Sequence, residues 1–185
     1  MRSTGSLTLA GVMVTAALIS LGPRPACAAS GAELARESRA ALNSLYARQS
    51  SAKLLGQKAK GILVFPSMMK AGFMFGGQVG EGTLFKGGKV AGYYNSVAAS
   101  YGFQAGIQKF GYALFFMSND GLNQLDATKG FEVGVGPSIV VMDEGMGKSM
   151  TSNTITSDVY AYIFSQKGLM AGAGIQGSKI TRISK

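Results

Sequence analysis

The chain has 185 residues, of which 46% are hydrophobic, and it carries 18 Lys and Arg against 9 Asp and Glu, a formal net charge of +9. This length and this apolar content are enough for one domain with a real core. Histidine is absent, which removes the commonest general base and metal ligand. The nine acids are scattered along the chain. We therefore expect a protein that is not an enzyme and that holds no metal and no cofactor.

The first 28 residues have the pattern of a secretory signal peptide. Arg2 precedes an apolar segment over residues 7–21, and Ala26-Cys27-Ala28 fits a small-x-small cleavage site. Two arginines and no acid lie in this segment, so the mature chain carries 16 basic residues against 9 acids, or +7. We expect residues 29–185 to form a single exported, water-soluble domain that is periplasmic or secreted.

Cys27 allows a second interpretation, as the lipidated first residue of a bacterial lipoprotein. The usual lipobox has leucine or a similar residue three positions before the cysteine, whereas Arg24 stands there. We favour cleavage after Ala28. A mature chain would then have no cysteine, which excludes a disulfide framework, a thiol nucleophile and a thiolate metal site.

Two helices are predicted next. Ala32 to Arg48 is amphipathic, with leucines near one face and arginines largely elsewhere. Ser50 or Ser51 caps a second, short helix that ends near Gly56. Between residues 29 and 70 the chain has seven basic residues against two acids. We expect this basic N-terminal third to contact an anionic partner.

The periodicity changes to two from Gly61 onward. Residues 61–65 predict a short buried strand that stops at Pro66, because proline lacks the backbone donor of a central strand. A glycine-rich stretch resumes at Lys70. Further along, Gly87-Gly88 between two lysines predicts a two-residue hairpin turn.

The second half of the chain predicts strands with one short helix among them. The fold class that follows is α+β, with N-terminal helices packed on a strongly curved, mainly antiparallel, glycine-rich sheet or partial barrel. The predicted segments are strands over 101–107 and 110–116 with a register change near Lys109, a helix near 119–128, a strand over 131–141, a turn over 143–147, a polar strand over 151–157, a turn over 166–168 and a final glycine-rich strand over 169–175.

Three motifs resemble known functional motifs but have structural interpretations. Gly172 to Gly177 matches G-x-G-x-x-G, but its surroundings predict strand and the chain ends at Lys185 before the acid that a dinucleotide site requires. Met142 occupies the first-glycine position of a phosphate loop ending in Gly147-Lys148-Ser149, so that motif fails. Asp143-Glu144 is interpreted as a solvated hairpin tip rather than a calcium site. The aromatic residues are interpreted as core, and no nucleic-acid partner is expected.

Several motifs, in order, resemble the SYLF domain over nearly the whole mature chain. They are Lys60 to Pro66 (KGILVFP), Lys70 to Phe73 (KAGF) with Gly76-Gly77, and Ser165 to Gly172 (SQKGLMAG) with Gly177-Ser178. That domain is found in yeast actin-patch proteins and in animal SH3-containing lipid-binding proteins.

The resemblance implies a non-enzymatic lipid-binding domain, in eukaryotes associated with phosphoinositides and actin, whose basic amphipathic N-terminal segment contacts the membrane. One departure is Gln176, which stands where an acid is common in the family. The positions that match the basic segment are Arg36, Arg39, Arg48, Lys53, Lys58 and Lys60.

An exported chain does not meet phosphoinositides or actin, so the expected ligand is a bacterial anionic phospholipid. We expect a phospholipid-binding protein of the cell envelope that is peripherally membrane-associated through its basic helices. The alternative is an envelope scaffold or surface-adhesion protein whose glycine-rich sheet contacts an envelope protein partner.

Overall fold

The computed structural model describes residues 30–73, 75–101, 106–126, 131–132, 139–142, 155–168 and 178–185. They form an α+β fold, as predicted, with an eight-stranded sheet in the order β5-β8-β3-β2-β1-β4-β7-β6. All described strand pairs are antiparallel except β6 with β7. The elements are α1 (Gly31–Arg48), α2 (Ser50–Lys58), β1 (Gly61–Phe73), β2 (Phe75–Lys86), β3 (Lys89–Tyr101), β4 (Gly106–Phe116), α3 (Asn119–Leu125), β5 (Phe131–Glu132), β6 (Ile139–Met142), β7 (Val159–Gly168) and β8 (Lys179–Ile183).

Both N-terminal helices are present close to their predicted bounds. The side chain of Ser30 caps α1 by accepting a hydrogen bond from the backbone N–H of Glu33 at 3.2 Å. The second helix runs to Lys58, two residues beyond its predicted end near Gly56. A Cβ atom at position 56 would overlap the hydroxyl of Tyr46. The glycine therefore makes room for a neighbouring side chain and does not end the helix.

The prediction that the first strand stops at Pro66 is also wrong. β1 continues to Phe73, and its pairing shifts register between Phe65 and Met68 against β4. Against β2 the shift lies between Val64 and Met69. Pro66 therefore sits in an interruption of both ladders, where its missing N–H leaves no hydrogen bond unmade.

The β2–β3 hairpin has the predicted turn. Gly87 and Gly88 have φ angles of +55° and +75°, which L residues with a side chain adopt only at a cost. Two successive positive φ values are those of a type I′ turn, whose twist matches that of the flanking strands. Lys86 and Lys89 pair directly across this turn.

Each face of the sheet carries a hydrophobic cluster. On the outer face, α1 and α2 pack through Leu45 and Leu55 against Val64, Phe85 and Phe115. The inner face carries the second cluster, whose buried members include Leu63, Phe65, Leu84, Tyr112 and Leu114.

The inner cluster joins strands that are not neighbours in the sheet. The rings of Phe116 on β4 and Phe131 on β5 lie 5.9 Å apart. Four strands separate β4 from β5 in the strand order, so the sheet bends around its inner face. Over the described residues the order ends at β5 and β6, and the sheet does not close.

Two later predictions are corrected. The prediction of one strand over 131–141 is wrong, because its two ends belong to different strands. β5 pairs with β8 and β6 pairs with β7, at opposite ends of the strand order. Residues 166–168 lie in β7 rather than in a turn. Helix α3 is present, over Asn119–Leu125.

Several predictions fall outside the described residues. They are the signal peptide with Cys27, the turn over 143–147, most of the polar strand over 151–157, the strand over 169–175 and Gln176. Among the helices that the structure describes, none combines the length and the apolar content needed to cross a bilayer.

Candidate functional site

The basic residues singled out by the sequence lie on the solvent side of the two N-terminal helices and the segment after them. All six side chains are exposed. The buried leucines of α1 face the sheet, so the amphipathic pattern places charge outward as predicted. Glu33 and Glu37 are exposed on the same helix. The exposed basic set is Arg36, Arg39, Arg48, Lys53, Lys58 and Lys60.

Arg39 joins α1 to the β2–β3 hairpin. Its guanidinium carbon lies 4.7 Å from the ring centroid of Phe85, a cation–π contact. Its Nη2 donates a hydrogen bond to the carbonyl of Gly88 at 2.9 Å. Both partners are uncharged, so these contacts hold the side chain in place without neutralising it.

A groove of about 380 Å³, here called the hairpin groove, lies beside Arg39 between α1, the end of α2 and the hairpin. Leu42, Ile62 and Phe85 give it an apolar floor, and Asn43 and Gln57 add polar groups. None of the described residues that line it is acidic. This combination suits a ligand with an anionic head and an apolar body.

Arg48 occupies the corresponding position on the other side of α1. Its Nη2 donates to Ser44 Oγ at 2.6 Å and to Ser165 Oγ of β7 at 3.0 Å. Ser165 has φ +54°, the one described non-glycine residue with a positive φ. A second groove of about 380 Å³, here called the β7 groove, has Leu45, Val141 and Phe164 among its lining, and none of the lining residues that the structure describes is acidic.

The structure thus divides the predicted site. Arg39 and Arg48 are nine residues apart on α1, which corresponds to about 14 Å along the axis and about half a turn around it. One arginine faces the hairpin groove and the other faces the β7 groove. The predicted residues therefore flank the helix and do not form one cluster.

Two basic residues that the sequence analysis did not include lie next to this site. Lys86 and Lys89 are exposed on both sides of the hairpin turn, adjacent to the Gly88 carbonyl that accepts from Arg39. The KGGK pattern was used only to predict the turn. The two lysines that flank the glycines were the sequence signal that could have added this hairpin to the predicted site.

The two tyrosines that line the grooves, Tyr46 and Tyr162, keep their protons at neutral pH. Burial raises the pKa of the Tyr46 phenol, which lines the hairpin groove, to about 12. Burial also raises the pKa of Tyr162, whose hydroxyl lies 2.6 Å from Ser51 Oγ in a hydrogen bond. Both phenols stay neutral at pH 7. Within the described residues no three His, Cys, Asp or Glu side chains are grouped so that they could hold a metal ion.

Comparison with known proteins gives one family match, over the second half of the chain. The family model described as "Ysc84: Las17-binding protein actin regulator" matches residues 97–185, from within β3 to the last residue. The matched region lies after both N-terminal helices in the chain. No curated protein matches the chain significantly. Residues 97–185 therefore match the Ysc84 family, whose domain is the SYLF domain that the sequence motifs predict.

Proposed function

We propose that this chain is a non-enzymatic protein that binds anionic phospholipid at a membrane surface, through the basic side chains of α1, α2 and Lys60. The observation that carries the proposal is the pair of grooves that flank α1. Each has an apolar floor and an arginine among its lining residues, and the described part of each lining holds no acidic residue. An amphiphile with a phosphate group matches that chemistry.

The charge of the two groove arginines is available to such a ligand. Arg39 and Arg48 donate to a carbonyl and to hydroxyl groups, not to carboxylates. The described ion pairs are elsewhere, between Arg182 and Asp126 and between Lys185 and Glu81. Each Lys or Arg near an anionic membrane contributes about 1 kcal/mol of attraction. Several such residues together are enough for reversible peripheral binding.

The proposed location is the cell envelope, on the basis of the signal-peptide pattern in residues 1–28. An exported chain would meet bacterial anionic phospholipids rather than phosphoinositides. The lipid probe chosen below, phosphatidylglycerol, is therefore a bacterial headgroup.

The experiment is co-sedimentation of the chain from residue 29 onward, which keeps every described residue, with vesicles of graded phosphatidylglycerol content at low and high salt. We expect binding that rises with anionic lipid and falls with salt, because salt screens surface charge. Changing Arg36, Arg39, Lys53 and Lys58 together to Gln should abolish binding while circular dichroism shows an unchanged fold. Unchanged binding by this variant would rule out the helices as the contact surface.

A protein partner is the second candidate, since the family description names Las17 binding. In that case the chain would act as an envelope scaffold or surface-adhesion protein. It would bind a protein partner saturably, and its weak binding to vesicles would not depend on their composition.

A further inference from the structure

Beyond the region that the helices cover, one line of directly paired residues runs across seven neighbouring strands of the sheet. Such a line, in which each residue pairs with the next one across the strands, is called a register line here. The backbone pairing is continuous from β7 through β4, β1, β2, β3 and β8 to β5. We call this line the distal row. Its residues, in spatial order, are Lys167, Lys109, Met69, Val79, Val97, Lys179 and Glu132.

The centre of the distal row is apolar and exposed. Met69 is 41% exposed, Val79 52% and Val97 50%, although they lie on three adjacent strands in the middle of the sheet. The next register line adds Ile107, which is 62% exposed. Exposed alanine and glycine continue that line at Ala71, Gly77 and Ala99. A contiguous apolar patch of this kind marks an interaction surface.

The inner face at the same level is polar. Lys70, Gln78 and Gln108 are buried and form the neighbouring register line on the inner side. The Nε2 of Gln78 and the Oε1 of Gln108 have no hydrogen-bond partner within the part of the chain that the structure describes. Nearer the helices the inner face is apolar, with Leu63 and Leu84 paired there. In the distal part of these strands the usual distribution is therefore reversed, with apolar side chains outward and polar side chains inward.

We propose that the distal row and the line beside it form a lipid-contact surface that inserts into the outer part of an anionic bilayer. The apolar centre would contact acyl chains. Lysines lie on both sides of it, at Lys109 with Lys167 and at Lys179, and their long stems let the charged ends reach the headgroups. The row holds three lysines against one acid, Glu132. This surface uses no residue of the proposed helix site, so the inference goes beyond the proposed function.

Charge also decides between a bilayer and a second copy of the chain. Two copies packed through this face would bring their lysines close together in a region of lowered dielectric, which is unfavourable. An anionic bilayer instead supplies a negative charge to each lysine.

The test places an environment-sensitive fluorophore at Val97→Cys in the full chain with Cys27→Ser. The matched control carries it at Asn123→Cys, an exposed position on α3 beyond the opposite end of β4. On phosphatidylglycerol vesicles we expect a blue shift and protection from an aqueous quencher at position 97 and neither at position 123. Identical responses at the two positions would overturn the proposal. A blue shift at position 97 without vesicles that grows with protein concentration would also overturn it, in favour of a second copy.

A second pair of variants separates this surface from the helix site. The double variant Val79→Thr and Val97→Thr keeps β-branched side chains suited to strands while reducing apolar area. We expect it to bind vesicles about tenfold more weakly. The variant with Arg36, Arg39, Lys53 and Lys58 changed to Gln, described above, tests the helix site alone. If the threonine variant loses binding and the glutamine variant does not, the helix proposal fails and the distal row stands; the opposite result overturns the distal row alone.

Discussion

The guanidinium of Arg39 lies over the ring of Phe85, 4.7 Å from its centroid, and donates to the carbonyl of Gly88. One side chain of α1 is thereby fixed against both the sheet and the hairpin turn. Because neither partner is charged, the arginine keeps its positive charge at the edge of an apolar groove. Under the proposed function, this arrangement would give the basic helix a defined position for an anionic group instead of a diffuse attraction.

Replacing Arg39 with Gln should weaken binding to phosphatidylglycerol vesicles about fivefold at low salt, the effect of about 1 kcal/mol per charge. Arg182→Gln is the matched control, since it removes the same charge from a residue already paired with Asp126 at 3.4 Å. Co-sedimentation of the two variants measures the difference. Equal losses would mean that only net charge matters, and that the hairpin groove has no part in binding.

The hairpin turn should depend on glycine at position 88. Gly88→Ala places a side chain at φ +75°, although nothing lies within 4 Å of the added Cβ. The cost is therefore conformational, about 1–2 kcal/mol of unfolding free energy. Gly87→Asn is the control, because asparagine suits the first position of a type I′ turn. Urea unfolding of both variants compares them, and a Gly88→Ala variant as stable as wild type would contradict the turn geometry.

Local signals in the sequence were enough for the N-terminal helix, the hairpin turn and the short helix α3, because caps and turns are decided by residues a few positions apart. The same signals failed at Pro66 and placed the end of α2 two residues early, near Gly56. There the decisive partners are distant in sequence or on another element: Pro66 lies in a ladder interruption set by β2 and β4, and Gly56 accommodates Tyr46 of α1.

The sequence was enough to predict which residue types form the candidate site, but not how they are arranged. The helical pattern placed the arginines on the solvent side, but the position of β7 beside the C-terminal end of α1 determines which groove Arg48 lines. The distal row depends on strand order even more strongly. Val97 pairs with Lys179, 82 positions later in the chain, and no local pattern indicates that pairing.

Helix α2 should owe much of its stability to its buried leucine, Leu55. Leu55 is 0% exposed within the outer-face cluster, and truncation to Ala should cost about 2–5 kcal/mol of unfolding free energy through lost burial and the cavity left behind. The neighbouring Leu54 is only partly buried. Leu54→Ala is the matched control and should cost clearly less. Denaturant unfolding with equal losses for the two leucines would show that α2 does not pack as described.

Ser165 should carry backbone strain that glycine relieves. Its φ of +54° disfavours any residue with a Cβ atom, while its hydroxyl accepts from Arg48. Ser165→Gly and Ser165→Ala both remove the hydroxyl, so their difference isolates the backbone contribution. We expect the glycine variant to be more stable than the alanine variant by about 1 kcal/mol. Thermal or urea unfolding checks this, and an alanine variant that is the more stable would contradict the backbone assignment.

Alkaline pH should destabilise the fold through buried tyrosines. Burial raises the pKa of Tyr46 to about 12, whereas an unfolded tyrosine titrates near pH 10. Below about pH 10 both states hold the proton and the contribution to stability is complete; between about pH 10 and 12 the unfolded state loses its proton first, so stability falls. Burial, and next the hydrogen bond to Asp126, raise the pKa of Tyr94 and act in the same direction. Urea unfolding at about pH 9 and about pH 11 should therefore show a smaller loss for Tyr46→Phe than for wild type, because the variant lacks one of the groups that must ionise. An equal loss in the two proteins would mean that the Tyr46 phenol ionises as readily in the folded chain as in the unfolded one.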